Sequence, residues 1–429
     1  MPHQAGSKIV SATVSNLKVA ILGFGTVGSS VARIICDLKP QGIELSHIYN
    51  RNIARKIADW APAKVAWTED FETILESDAD VVLELAGGLD PAGKWVRRSL
   101  EAGKSVVTAN KKLIAYQGIE LEKLARSKGV HLRYGAAVAG GIPVIPGLQH
   151  GLAGDYVTRI EGILNGTCNF ILSKMEEGAE FADVLKEAQT LGYAEADPTE
   201  DVDGFDARAK LVILSRLALR ADLDPEEIPC RSIREVGAID FAYARELGCT
   251  IRQIARAELR DGDVLASVGP MLVPKASPLA WSRGTENTVL VGGRYGGDVV
   301  FSGHGAGGHP TAVAVVSDVI GIAHGSRAVD LPSRKTAIGG EFLLRHSIRF
   351  VVSDQPGIIA EIALALAEQE INIHAIFQKP GYGKDNLPFV VTVEPCAASA
   401  LQRALARIDK MNCLLQKPLD LQILEPEEA

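Results

Sequence analysis

The sequence predicts an α/β protein in three successive parts: a doubly wound parallel sheet, an α+β region and a ferredoxin-like unit. Three observations predict it. Apolar strand-like runs alternate with helical runs over about the first 145 residues, as parallel sheets with right-handed crossovers require. A glycine-rich turn sits between the first strand and the first helix. The last ~85 residues read as βαββαβ. A length of 429 residues suits about three domains at ~150 residues each.

Leu17 to Leu22 is the first strand, followed by a helix from Val27 to Leu38. Ile43 to Tyr49, Val81 to Leu85, Ser105 to Thr108 and Val130 to Tyr134 continue as strands. Helical runs Phe71 to Glu76, Ala92 to Ala102 and Ile119 to Ser127 lie between them. This gives a Rossmann-type domain over 17–146, after a flexible tail at 1–16. From 147 to 325 the pattern becomes α+β, with strand-like Val157 to Leu164, Asp263 to Val273 and Thr288 to Gly293. Amphipathic helices cover Phe181 to Leu191 and Phe205 to Leu219. A further apolar helix, 310–323, is expected to pack back on the first domain. Residues 326–340, with Pro332 and Gly339-Gly340, read as a linker, and 341–429 as the C-terminal domain.

Composition narrows the function. With 47% hydrophobic and 23% charged residues the chain is an ordinary globular protein. A net charge of -8 gives no general attraction to phosphate backbones, so nucleic acid is not an expected partner. No apolar run of about 18 residues suggests a membrane span, and the first sixteen residues lack a signal-peptide core. None of the six cysteines forms a C-x-x-C pair, so they read as reduced thiols in a cytoplasmic protein. Glycine is enriched, at 42 residues.

Gly23-Phe24-Gly25-Thr26-Val27-Gly28 is the G-x-G-x-x-G fingerprint of a dinucleotide site. Gly23 permits the tight turn, Gly25 lets a pyrophosphate approach, and Gly28 lets helix and sheet pack closely. The helix start offers free N–H groups to the phosphate. An acidic residue at the end of the second strand would bind the ribose of NAD. Tyr49-Asn50-Arg51 stands there instead, and Arg51 suits a 2′-phosphate, so NADP(H) is favoured with NAD(H) as the alternative.

Lys111 follows the strand Ser105 to Thr108, where ligands of open α/β sheets bind; a plain surface lysine is the alternative. Asp206 and Lys210 are i and i+4 on one helix face. They suit either a surface salt bridge or a proton donor partly desolvated by Leu211, Val212 and Leu214. Glu195, in Gly192-Tyr193-Ala194-Glu195-Ala196-Asp197-Pro198, could hold a cationic amino group. His304 and His309 lack the one-face spacing of a metal pair.

These motifs together resemble homoserine dehydrogenase of the longer bacterial type with a C-terminal ACT domain. The resemblance rests on G-F-G-T-V-G at Gly23, V-V-T-A-N-K at Val106, V-A-G-G-I-P at Val138 and G-I-L-N-G-T at Gly162. It extends through G-Y-A-E-A-D-P at Gly192, D-G-F-D-A-R-A-K at Asp203 and G-H-G-A-G-G-H-P-T-A at Gly303. It implies reversible reduction of L-aspartate 4-semialdehyde to L-homoserine with NAD(P)H, at the branch toward threonine, isoleucine and methionine. It implies Lys210 as general acid/base, Asp206 as its positioning partner, Glu195 on the substrate amino group, and Lys111 on cofactor and substrate. Thr108 would join Lys111 on the cofactor, while Thr167 and the Gly303 to Gly307 loop would line the nicotinamide and substrate site. The middle domain, 147–325, becomes the catalytic and dimerisation domain of a homodimer or homotetramer. Relatives hold a monovalent cation, sodium, near carbonyls corresponding to Val138, Gly140 and Ile142. Gly135 stands where they carry a glutamate, so a side-chain ligand is lost.

Cys168 replaces a more usual threonine and reads as a tolerated small residue that could confer thiol sensitivity. Asp354-Gln355-Pro356-Gly357-Ile358 resembles the ACT signature, with Asp354, Gly357 and Asn372 near an effector, implied to be threonine. The other readings are a thioester-forming semialdehyde dehydrogenase using Cys168, or a non-catalytic sensor of NADP(H) and threonine.

Overall fold

The computed structural model describes residues 17–326 and 333–425, so the expected N-terminal tail and part of the expected linker lie outside the described residues. Two compact units divide the chain. The first holds the described residues up to Pro146 together with those from Gly307 to 326. Its strands are β1 (Leu17–Leu22), β2 (Ile43–Tyr49), β3 (Ala66–Thr68), β4 (Val81–Glu84), β5 (Ser105–Thr108) and β6 (Leu132–Arg133). They form one sheet in the order β3-β2-β1-β4-β5-β6, with every pairing parallel. The order reverses at β1, which places a crevice beyond the carboxyl ends of β1 and β4.

Helices Thr26–Leu38, Phe71–Glu76, Ala92–Glu101 and Lys111–Lys128 connect these strands. The last begins well before the expected Ile119, because Asn110 caps it: its side chain accepts from Leu113 N at 3.1 Å. Helix Gly308–Ala323 belongs to the same unit. It shares an apolar cluster with the first helix, where Val315 and Val319 join Val31 and Ile35. Its start leaves no room for a side chain, since a Cβ on Gly308 would lie 2.8 Å from Ser30 Oγ and 2.9 Å from Thr26 Cγ2.

The second unit runs from Gly147 to Ala306 and resumes at 333. Its strands are β7 (Val157–Ile163), β8 (Ala221–Asp222), β9 (Cys249–Arg260), β10 (Asp263–Pro274), β11 (Glu286–Gly293), β12 (Gly297–His304), β13 (Arg334–Lys335), β14 (Leu343–Val352), β15 (Ile373–Gln378), β16 (Leu387–Ala397) and β17 (Leu419–Ile423). Nine of them form one sheet, β12-β11-β7-β9-β10-β17-β14-β16-β15, while β8 and β13 pair separately. Helices Gly166–Glu176, Phe205–Ala218 and Ala238–Glu246 belong to this unit.

The order β17-β14-β16-β15, wholly antiparallel, is the ferredoxin-like arrangement. Helices Ile358–Ala367 and Ala398–Ile408 share its core through Ile362, Leu366, Leu401 and Leu405. The sheet of this C-terminal region is continuous with that of the middle region. β17 pairs in parallel with β10 through Met271↔Gln422 and Leu272↔Ile423, and Leu424 N donates to Leu272 O at 2.8 Å. Side chains reinforce this join. Arg231 donates to Asp420 at 3.0 Å, Arg349 to Asp240 at 2.7 Å, and the Tyr243 hydroxyl to Pro388 O at 2.9 Å. The described end of the expected linker is likewise built in. Arg334–Lys335 pairs with Ala221–Asp222, and Gly339 N donates to Val264 O at 3.0 Å.

Candidate active site

The glycine fingerprint lies on the first unit. Gly23 has a φ of 102°, and its N–H donates to Tyr49 O at 3.0 Å, tying the turn to the end of β2. A Cβ on Gly28 would sit 2.0 Å from Gly23 O, so only glycine closes the turn. Gly25 is the opposite case: nothing lies within 4 Å of the place a Cβ would take. That open approach at the start of helix Thr26–Leu38 is what a pyrophosphate needs. Phe24 is buried beside Trp60 and Trp67, and its N–H meets Asn50 Oδ1 at 3.3 Å. Thr26 and Val27 form the first turn of the helix, and Arg51 is exposed just after β2.

A residue that the sequence reading missed organises the neighbouring loop. Glu84, fully buried at the end of β4, accepts from Ala86 N at 3.0 Å and Gly87 N at 2.8 Å. Its other oxygen accepts from the Thr108 hydroxyl at 2.6 Å. Thr108 in turn accepts from Asn110 N at 3.0 Å, and Asn110 donates to Gly88 O at 2.6 Å. The carboxylate thus shapes the loop after β4 and the start of the helix that bears half-buried Lys111. Its only advance signal was a carboxylate inside the apolar run Val81 to Leu85.

In the same unit, Gly135 opens a short turn, Gly135–Ala137, that leads to Val138, Gly140 and Ile142. Gly135 N donates to Asp318 Oδ2 at 2.8 Å, and a Cβ there would lie 2.9 Å from that oxygen. Burial pushes the Asp318 carboxyl up to about 6. Ile142 O accepts from Val144 N at 2.8 Å.

The Asp206 and Lys210 pair lies on the second unit. Asp206 and Lys210 are 3% and 9% exposed, which excludes a solvated surface pair. Lys210 Nζ donates to Asp206 Oδ2 at 2.7 Å and to Leu164 O at 2.6 Å. Asn165, next to that carbonyl, donates to Asp206 at 2.9 Å and to Asp201 at 2.7 Å. Its own Oδ1 caps helix Gly166–Glu176 by accepting from Cys168 N at 2.8 Å. Asn165 and Asp201 are further members that the sequence reading passed over. Thr167 Oγ1 donates to Tyr193 O at 2.7 Å, which fixes the loop bearing exposed Glu195. Gly303 pairs opposite Asn287 of β11, one residue before β12 ends at His304.

Cys168 corrects an expectation. It is fully buried, its Sγ lies 3.1 Å from Asp201 O, and burial beside two carboxylates pushes its thiol well above the usual range. A neutral, sealed thiol is neither thiol-sensitive nor a nucleophile. Among the described residues no group of three or more His, Cys, Asp and Glu could hold a metal ion.

In the ferredoxin-like region, Gly357 takes a φ of 100° and caps helix Ile358–Ala367. Asp354 N donates to Lys384 O at 2.7 Å and Asn372 O accepts from Glu394 N at 2.9 Å; all three residues are exposed, but Asp354 and Gly357 lie beyond Val352 whereas Asn372 precedes Ile373, at the opposite end of the sheet. No helix among the described residues is long and apolar enough to cross a membrane.

Three family models match the chain: the homoserine dehydrogenase NAD-binding domain over residues 23–135, homoserine dehydrogenase over 143–320 and the ACT domain over 346–412. Homoserine dehydrogenase of Corynebacterium glutamicum is 38% identical over 91% of this chain and 92% of its own length. A homoserine dehydrogenase crystal structure from Thiobacillus denitrificans superposes with a TM-score of 0.87 at 33% identity, covering 95% of this chain and 98% of that one. A hyperthermophilic archaeal homoserine dehydrogenase mutant, solved with NADPH, superposes at 0.62 with 29% identity over 73% of this chain and 99% of that one. With a dinucleotide turn, a buried lysine–carboxylate pair and an ACT module in one chain, the protein belongs to the homoserine dehydrogenase family of oxidoreductases.

Proposed function

We propose that this enzyme reversibly reduces L-aspartate 4-semialdehyde to L-homoserine on the route to threonine, methionine and isoleucine, in the cytoplasm, as a homodimer or homotetramer. The observation that carries the reading is the buried Lys210 ammonium, fixed by Asp206 and the Leu164 carbonyl. Gly23, Phe24, Gly25, Thr26, Val27 and Gly28 hold the pyrophosphate, and the open face of Gly25 fits it. Arg51, at the end of β2 with no carboxylate beside it in Tyr49-Asn50-Arg51, favours the 2′-phosphate of NADP(H) over NAD(H). When bound, the nicotinamide supplies or takes up the hydride.

Lys210 gives its proton to the oxygen that becomes the homoserine hydroxyl, and recovers it in the reverse direction. Asp206 keeps the Lys210 side chain aimed through its 2.7 Å hydrogen bond. Glu195 holds the substrate amino group, Thr167 and Gly303 line the site, and Thr108 and Lys111 serve the cofactor end. A sodium ion on the carbonyls of Val138, Gly140 and Ile142 is an accessory at most. The residues here offer it a weak fit, because Gly135 brings no carboxylate and Asp318 is engaged by Gly135 N–H. Threonine, through Asp354, Gly357 and Asn372, is the effector that we assign to the ACT module.

The test is NADPH and NADH oxidation with aspartate 4-semialdehyde, with and without threonine, by wild type and Lys210→Ala. Removal of the general acid lowers kcat by about 10²–10⁴-fold. Absence of turnover by pure folded wild type, or full activity in Lys210→Ala, overturns the reading.

A further inference from the structure

Leu164 O, on which Lys210 rests, receives a second hydrogen bond: Asn287 Nδ2 donates to it at 3.0 Å. Asn287 is 1% exposed, at the start of β11 and opposite Gly303 of β12. Its carboxamide lies flat against the glycine loop. A Cβ on Gly305 would fall 2.0 Å from Asn287 Cγ and 2.3 Å from Nδ2. Its Oδ1 is buried with no hydrogen-bond partner, a cost that a side chain kept only to fill space would not incur.

We propose that Asn287 is a positioning residue for proton transfer; the inference rests on the reading of Lys210 as the proton donor. A carbonyl oxygen has two lone-pair directions. Asn287 occupies one, so the ammonium of Lys210 is confined to the other. The peptide carbonyl becomes a fixed stop rather than a swivelling acceptor. By packing on Gly305, the same carboxamide locks the glycine loop and the lysine to one reference point. Gly305 is therefore glycine because of Asn287, and not solely because a ligand comes close.

The sequence gives no local sign of this. Residues 164, 210, 287 and 305 come from the end of β7, a helix, β11 and the loop after β12. Only the register Thr288↔Ile163 of β11 against β7 brings Asn287 to the Leu164 peptide.

Three variants test it, beside Lys210→Ala, in the full-length enzyme: Asn287→Asp, Asn287→Ala, and Asn287→Ala combined with Gly305→Ala. Asn287→Asp keeps the shape but cannot donate. The double variant refills the lost volume with the Cβ that wild type excludes. A small misplacement of a catalytic group costs up to about 100-fold. We expect kcat to fall about 10- to 100-fold in all three, with KM for NADPH within about two-fold in the two single variants and a larger solvent isotope effect on kcat. The double variant should regain the thermal stability lost in Asn287→Ala without regaining kcat. Wild-type kcat and isotope effect in Asn287→Asp, or recovery of kcat in the double variant, would reduce Asn287 to packing and overturn the proposal. Full activity in Lys210→Ala would instead remove the reading beneath it, so the two failures are distinguishable.

Discussion

The two units treat buried carboxylates in opposite ways. In the dinucleotide-binding unit the acids are answered by backbone amides: Glu84 by Ala86 and Gly87, with the Thr108 hydroxyl, and Asp318 by Gly135. In the catalytic unit they are answered by cationic side chains: Asp206 by Lys210, Asp240 by Arg349, and Asp420 by Arg231, with the His346 ring beside it. An acid bound by amides dictates the path of a loop, which suits a site that must present backbone to a cofactor. An acid bound by a cation fixes a second side chain, either for chemistry or to join two parts of the chain. The same residue type shapes backbone in one unit and places charge in the other.

The sharpest way to break this contrast is Asp420→Ala. Asp420 is 2% exposed, and His346, fully buried, meets it at 2.7 Å. Removing Asp420 leaves the buried His346 nitrogen and the Arg231 guanidinium both without it, so urea unfolding should show a loss of about 2–5 kcal/mol. A loss under about 1 kcal/mol would show that the pair is not needed to hold the join. Glu84→Gln should cost less, about 1–3 kcal/mol, because the amide still accepts from Ala86 and Gly87. It offers Thr108 a donor where an acceptor is needed. We expect KM for NADPH to rise while kcat holds, and an unchanged KM would mean that the loop does not depend on this carboxylate.

The smallest effect is a slope. The Asp318 carboxyl, raised to about 6 by burial, holds its proton more tightly in the folded chain than in the unfolded one. The folded state therefore binds more protons between the ordinary aspartate range, about 4, and about 6. Its contribution is most favourable below that window and declines as pH rises through it. Asp318→Asn lacks this titration. Its urea midpoint relative to wild type should climb from pH 4 to pH 7, and a flat difference would show that Asp318 is not perturbed.

Much of this was legible in the sequence, for identifiable reasons. The glycine fingerprint is a short-range device in which Gly23 and Gly28 meet each other directly, so five residues of spacing report it. Asp206 and Lys210 share a helix face, and their pairing needs no distant partner. The βαββαβ order survives because each strand is a local apolar run.

What escaped depends on distant partners. β9 carries Arg252, Arg256 and Glu258, charges that look like a solvated surface until Glu176 and Glu161 from other elements meet the two arginines. Helix Gly166–Glu176 is buried at nearly every position from Cys168 to Met175, so it shows no amphipathic period. β3 and β12 are exposed or short edge strands with little apolar pattern. The join of β17 to β10 rests on two residue pairs between distant parts of the chain, with no local signature.

That join has a further consequence. On its β17 side, β10 is met by Cys230 at Val268 and by Ile338 at Val264, so without β17 the stretch around Met271 and Leu272 would be an open edge, the kind that templates association between molecules. β17, the last strand among the described residues, closes it. The ACT module is therefore also the lid on an otherwise adhesive border of the catalytic sheet. Without β17, the backbone of Met271 and Leu272 would stand unpaired at that border.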